Sequence, residues 1–138
     1  MKKTAVVYWS GTGNTAAMAE LVLEGMREAG ADASLIECTM VTDLAAYDAI
    51  AFGCPAMGSE QLEDSEFEPM FDGVKKSLGG KAVALFGSYG WGDGEWMRSW
   101  EDDCRAAGIS LACESVLVNG APEGTDAELC IELGKALV

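Results

Sequence analysis

The sequence predicts an α/β fold, a doubly wound parallel sheet of five strands with helices on both faces. Two observations carry this. Short runs rich in Val, Ile and Ala, apolar on both faces, alternate with longer segments of helical periodicity, as in a parallel sheet covered on both sides. Glycines, hydroxyls and a tryptophan collect in the loops that follow strands, which is where such sheets bind ligands.

Ala5 to Tyr8 is the first strand, a short Val-rich run. Asn14 to Ala29 places Met18, Leu21, Val22, Gly25 and Met26 at helical spacing, and Gly30 stops it. Ala33 to Glu37 and Ala49 to Gly53 are the second and third strands, joined by a short link. Phe67 to Leu78 reads as a helix that tolerates Pro69 in its first turn and breaks at Gly79-Gly80. Lys81 to Gly87 is the fourth strand. Glu95 to Ala107 is the next helix, ended by Gly108. Ile109 to Val118 is the fifth strand. Asp126 to Leu137 is the last helix, with Thr125 or Asp126 as its cap. Repeats, linkers and low-complexity tracts are absent, and the 138 residues fit one domain, residues 1–138.

Composition removes several function classes. There is no histidine, so His-dependent triads and His-bound metals are out. Chemistry must come from carboxylates, thiols, hydroxyls or a bound cofactor. The five cysteines, Cys38, Cys54, Cys104, Cys113 and Cys130, contain no C-x-x-C pair and read as buried free thiols in a reducing compartment. The formal net charge of −14 repels nucleic acid and anionic lipid, and favours partners with basic faces. No apolar stretch approaches the roughly 20 residues of a membrane span. The run after Met1-Lys2-Lys3-Thr4 is too short for a signal peptide, so the expected location is cytoplasmic.

Three loops carry the chemistry. Ser10-Gly11-Thr12-Gly13-Asn14-Thr15 joins the first strand to the first helix. A glycine-rich turn entering a helix exposes backbone N–H groups to an anion, and hydroxyls add bonds to phosphate oxygens. The same residues also serve a plain capped turn. No Lys-Ser or Lys-Thr follows the second glycine, so this is not a Walker A loop, and Ala16 stands where a dinucleotide fingerprint has its last glycine. Lys2 and Lys3 lie at the other end of the strand. A phosphate here would be a fixed anchor held by neutral donors and the helix dipole.

The second loop is Gly53-Cys54-Pro55-Ala56-Met57-Gly58-Ser59-Glu60. The third, Ser88-Tyr89-Gly90-Trp91-Gly92-Asp93-Gly94-Glu95-Trp96, alternates glycine with aromatic and acidic residues. Trp91 is either a lid on the core or a stacking platform for a flat ligand. Trp96 and Trp100, four apart on a helix, read as core, and Trp9 reads as packing.

Together these loops resemble those of the flavodoxins, most closely the short flavodoxins of anaerobic bacteria. Tyr8 to Thr15, Glu63 to Pro69 and Leu85 to Trp91 carry the likeness, which runs from about residue 4 to the C-terminus. The resemblance implies strand order 2-1-3-4-5 and a noncovalent FMN. Ser10, Thr12, Asn14 and Thr15, with the amides of that loop including Gly11 and Gly13, would hold the phosphate. Pro55 and Ala56 would line the ribityl chain. Met57 and Trp91 would enclose the ring, with Ser59 in the same clamping loop. Glu60 would accept from the pyrimidine N–H. Tyr89 belongs to the second clamping loop, and the amides of Gly90, Trp91 and Gly92 would face the ring's pyrimidine edge. Ser88 and Asn119 are further candidates on neighbouring loops. Pro55 departs from relatives that carry a hydroxyl there.

The implied function is low-potential one-electron transfer between the oxidised, semiquinone and hydroquinone levels, without substrate turnover. Gly58 would let the Met57–Gly58 peptide flip so that the Met57 carbonyl meets flavin N5. Glu60, Glu63, Asp64, Glu66, Asp93 and Glu95 would together disfavour the reduced, anionic ring. Partners would be redox enzymes with basic docking faces, among them ferredoxin-type oxidoreductases and an NAD(P)H-dependent reductase. A monomer is the expected state. The alternative on the same fold is an FMN-dependent NAD(P)H:quinone reductase, but no extra segment is present to build a nicotinamide site. A receiver-type signalling domain would need acids where Trp9-Ser10 and Cys54-Pro55 stand, and a small phosphatase would need a Cys-x5-Arg loop.

Overall fold

The computed structural model describes residues 1–138. Its strands are β1 (Lys3–Tyr8), β2 (Asp32–Glu37), β3 (Ala49–Gly53), β4 (Ala82–Tyr89) and β5 (Val116–Asn119). Its helices are α1 (Asn14–Glu28), α2 (Phe67–Val74), α3 (Glu95–Ala106) and α4 (Thr125–Ala136). The strands form one sheet in the order β2-β1-β3-β4-β5, every pair parallel. The order reverses at β1, so the crevice for a ligand lies between the loops after β1 and β3.

Alternation along the central strands sorts two cores, one of which sets alanines beside Val6 and Phe86. Ile50, Phe52, Val83 and Leu85 face α2 and α3, where they meet Phe67, Phe71, Trp96 and Trp100. Ala49, Ala51 and Ala84 face α1 and α4. Small residues on that face let α1 and α4 sit close to the sheet. They also sit close to each other, because a Cβ on Gly25 would overlap the Ile131 carbonyl and one on Gly134 would overlap the Val22 carbonyl. The expected core placement of Trp96 and Trp100 holds, at 1% and 2% exposure.

Several element ends shift by one or two residues, the fourth strand for example running Ala82–Tyr89, and three differences are larger or structural. The strand expected over Ile109 to Val118 is regular only over Val116–Asn119. Leu111 pairs with Val83 in an isolated bridge, and the ladder resumes at Phe86 with Val116. The outer chain therefore spends more residues than β4 over the same span, and the surplus bulges out through Cys113 to Ser115. The helix expected to reach Leu78 gives way to a 3₁₀ turn over Lys75–Ser77. The last helix is capped by neither Thr125 nor Asp126; its cap is Gly124, with no side-chain bond. No helix is long and apolar enough to cross a membrane.

Candidate functional site

The loops after β1, β3, β4 and β5 meet at the carboxyl edge of the sheet. Main-chain bonds stitch them together: Cys54 N–H donates to Phe86 O (3.2 Å) and Ala56 N–H to Ser88 O (3.0 Å), which extends the ladder past the end of β3. Trp96 Nε1 reaches back from α3 to Cys54 O at 3.1 Å. Between the loops lies a cleft of about 310 Å³ lined by Trp9, Gly11, Thr12, Asn14, Pro55, Ala56, Met57, Ser88, Tyr89, Gly90 and Gly120. Nine of these eleven residues were expected from sequence; Trp9 and Gly120 were not.

The first loop is organised by Ser10. Its Oγ accepts from Gly13 N–H at 3.1 Å and Ala16 N–H at 3.2 Å. Its own proton stays available to a ligand. Gly13 enters α1 with φ 100° and caps the helix without a side-chain bond. The amides of Gly11, Thr12, Asn14 and Thr15 donate to nothing in the protein. Thr15 is buried, and its Oγ1 accepts from Ser88 N–H at 3.3 Å, again leaving the hydroxyl proton free to donate. No lysine or arginine lies in this loop, and the charge available to an anion is that of the helix terminus.

The other two loops meet through Glu60. Met57 O accepts from Glu60 N–H at 2.8 Å, closing a turn centred on Gly58 and Ser59, and Met57 N–H donates to Gln61 O at 2.9 Å. Glu60 has φ 49°, and its Oε1 is buried with no partner. That carboxylate lies against Gly92, where a Cβ would overlap it and where φ is 88°. A side chain at position 92 would be strained in this left-handed backbone and would have to push the Glu60 carboxylate aside. Trp91 is 63% exposed, so it is not a lid on the core. It does not line the cleft wall. Asn119 Nδ2 donates to Gly90 O at 3.4 Å, and Ser88 Oγ donates to Gly120 O at 2.6 Å, so both support the third loop.

The turn revises the expected carbonyl switch. The Met57 carbonyl is already engaged by Glu60 N–H, which ties the Met57–Gly58 peptide into the turn. The Gly58–Ser59 peptide is the central one, and the Gly58 carbonyl accepts no bond.

The expected acidic field is also smaller than the list of acids. Arg98 Nη2 pairs with Asp93 Oδ1 at 2.9 Å. Glu63 is 5% exposed and turns inward. Its Oε1 accepts from Glu66 N–H (2.7 Å) and Phe67 N–H (2.8 Å), and its Oε2 from Ser65 N–H (2.9 Å) and the Ser65 hydroxyl. It thus caps the start of α2 from outside the helix. Burial pushes this carboxyl up, but the Ser65 hydroxyl and the amides of Phe67, Glu66 and Ser65 outweigh it and hold it at about 2. Glu63 N–H in turn donates to Cys54 Sγ at 3.4 Å, which gives Cys54 a place in the frame. Burial first, then nearby carboxylates, raises Cys54 and holds Cys38 at about 11, so these thiols stay protonated.

A protein-family model of the flavodoxins matches residues 6–134. The chain belongs to the flavodoxin family. It is 49% identical over 136 residues to the flavodoxin of Megasphaera elsdenii, covering 95% of each chain. It is 45% identical over 134 residues to that of Clostridium beijerinckii, covering 96% of each. Its fold matches the solution structure of two-electron reduced Megasphaera elsdenii flavodoxin with a TM-score of 0.90 at 46% identity, over 97% of both chains. Flavodoxins are electron carriers that bind FMN, and that is the activity and cofactor of this chain. The residues present fit FMN on two observations. Four unpaired amides at a helix start suit a phosphate monoester, and the orphaned, buried Glu60 Oε1 suits a ring N–H donor.

Proposed function

We propose that residues 1–138 act as one FMN-binding unit, a monomeric electron carrier with no substrate turnover of its own. The observation that carries this reading is the pairing of an anion-binding loop with an unsatisfied buried acceptor across one cleft. The amides of Gly11, Thr12, Asn14 and Thr15, with the hydroxyls of Ser10, Thr12 and Thr15, hold the phosphate. Gly13 supplies the left-handed turn that aims them. Pro55 and Ala56 line the ribityl chain. Met57 and Trp91 enclose the ring, and Tyr89 backs it. Glu60 accepts from the pyrimidine N–H, and the amides of Gly90, Trp91 and Gly92 face the same edge. Ser59, Ser88 and Asn119 keep the loops in place. The bound FMN supplies the redox chemistry, and the protein sets its potentials.

Anaerobic titration with dithionite, followed in the visible, tests the reading. A yellow protein that passes through a stable blue one-electron state is expected. A protein that stays colourless with added FMN overturns it. Direct two-electron bleaching, with NADPH consumed without an added reductase, would point to a quinone reductase.

Gly58 sets the first potential. With FMN bound, rotation of the Gly58–Ser59 peptide would let the otherwise unbonded Gly58 carbonyl serve as an acceptor toward the ring. A Cβ at Gly58 meets nothing within 4 Å, so Gly58→Val acts by narrowing backbone torsions rather than by clash. Spectroelectrochemistry should show the first one-electron potential fall by roughly 50 mV, about 1 kcal/mol, with oxidised FMN still bound tightly. An unchanged potential removes Gly58 from the switch.

Charge polarity orients the redox partners. Strands start and helices end at the edge opposite the site. Lys2, Lys3, Arg27, Lys76, Lys81, Arg105 and Lys135 fall there, seven of the nine basic residues; Arg98 lies near the site, and Lys75 borders a hollow shared with Ser59 and Glu60. The cleft edge keeps the acids and meets a basic face. Electron-transfer rates to a basic c-type cytochrome should fall as salt is raised past about 0.1 M, where screening reaches about 10 Å. A rate that rises with salt contradicts this docking.

A further inference from the structure

We propose that Trp9 and Glu66 form a latch that positions the phosphate loop and so sets the preference for a phosphorylated over an unphosphorylated flavin. The inference rests on the assignment of the Ser10–Thr15 loop to the phosphate. Trp9 Nε1 donates to Glu66 Oε1 at 2.8 Å. The six-membered ring of Trp9 lies against the loop, since a Cβ on Gly11 would stand 3.0 Å from Cη2 and 3.3 Å from Cζ3. The main chain of Trp9 is fixed separately, its N–H donating to Gly53 O at 3.0 Å. What remains free is rotation of the indole about its side-chain torsions, and the bond to Glu66 removes it.

Glu66 is anchored in its turn. Its amide is held by Glu63 Oε1, and Glu63 N–H is held by Cys54 Sγ. One run of contacts therefore leads from Gly11 to the root of the ring-facing loop. Charge argues against Glu66 at this place. It borders the same shallow hollow as Ser10 to Gly13, and no lysine or arginine pairs with it. A carboxylate there repels a phosphate dianion. Its favourable contribution is the bond that holds the indole under the loop. Glu66 is a positioning residue that acts through the indole; Trp9 also borders the cleft, and the riboflavin measurement reads any direct contact it makes there.

The test measures dissociation constants for FMN and for riboflavin, by flavin fluorescence quenching, in wild type, W9F, E66A, E66Q and W9F/E66A. W9F keeps an aromatic ring and loses the donor. E66Q keeps the acceptor oxygen and loses the charge. W9F and E66A should each weaken FMN roughly three- to tenfold while riboflavin changes by less than about twofold. E66Q should bind FMN at least as well as wild type, and the double variant no worse than the weaker single. Thermal unfolding of the apoproteins checks that each variant folds. An unchanged FMN-to-riboflavin ratio in W9F overturns the latch, and so does an E66Q as weak as E66A. If wild type itself binds riboflavin as tightly as FMN, the phosphate assignment falls, and the latch with it.

Discussion

Replacing Gly134 with alanine is expected to cost about 3 kcal/mol of folding stability, read as a lower urea midpoint at unchanged slope. A new methyl group in a helix usually helps, by up to about 1 kcal/mol over glycine. Here the sign reverses. The Cβ would overlap the Val22 carbonyl oxygen and crowd Met26 N, which are main-chain atoms and cannot rotate away. The helix must lift off α1, and Leu133 and Cys130 lose their packing on the sheet. Gly25→Ala, which meets the Ile131 carbonyl from the other side, should cost about as much. Gly73→Ala is the control. Gly73 is helical and exposed with open space at its Cβ, so that change should add about 0.5 kcal/mol. A Gly134→Ala protein as stable as wild type would mean that α1 and α4 are not in backbone contact.

Glu63→Gln should destabilise the protein by roughly 2–3 kcal/mol at pH 7, because an amide matches four donors far less well than a carboxylate does. The pH dependence is specific. The folded carboxyl sits at about 2 against an ordinary value of 4.5. Its contribution is full above pH 4.5 and fades as pH falls toward 2. The gap between wild type and Glu63→Gln should therefore be constant from pH 7 to about 5 and close between there and pH 2. Urea melts of both proteins at several pH values measure it. A gap that persists at pH 2 would mean the carboxylate charge is not what holds the cap. FMN affinity should fall as well, since the Met57 to Leu62 segment leads straight into Glu63.

Glu63 also marks where sequence reading stops. In the sequence it is one acid among Glu60, Asp64 and Glu66, and it reads as part of a surface field. Nothing local distinguishes a carboxylate that turns inward to collect four donors. Trp9 is similar. Next to a glycine loop it reads as strand-end packing, and its partner lies 57 positions away. Gly120 follows a strand whose regular part begins later than its apolar run. The Met57 carbonyl looked free until the turn closed on it.

The sequence by itself determined the order of elements, the parallel sheet and the three ligand loops. Those follow from patterns within a few residues: runs apolar on both faces, helical spacing, and glycine or hydroxyl clusters between them. The tertiary structure alone decided which carbonyl stays unbonded, which acid is a cap, how α1 and α4 pass each other, and where the fifth strand rejoins the sheet. Each depends on an atom brought close by the fold from a distant part of the chain. Burial and hydrogen bonding act through space, and local sequence periodicity carries no record of them.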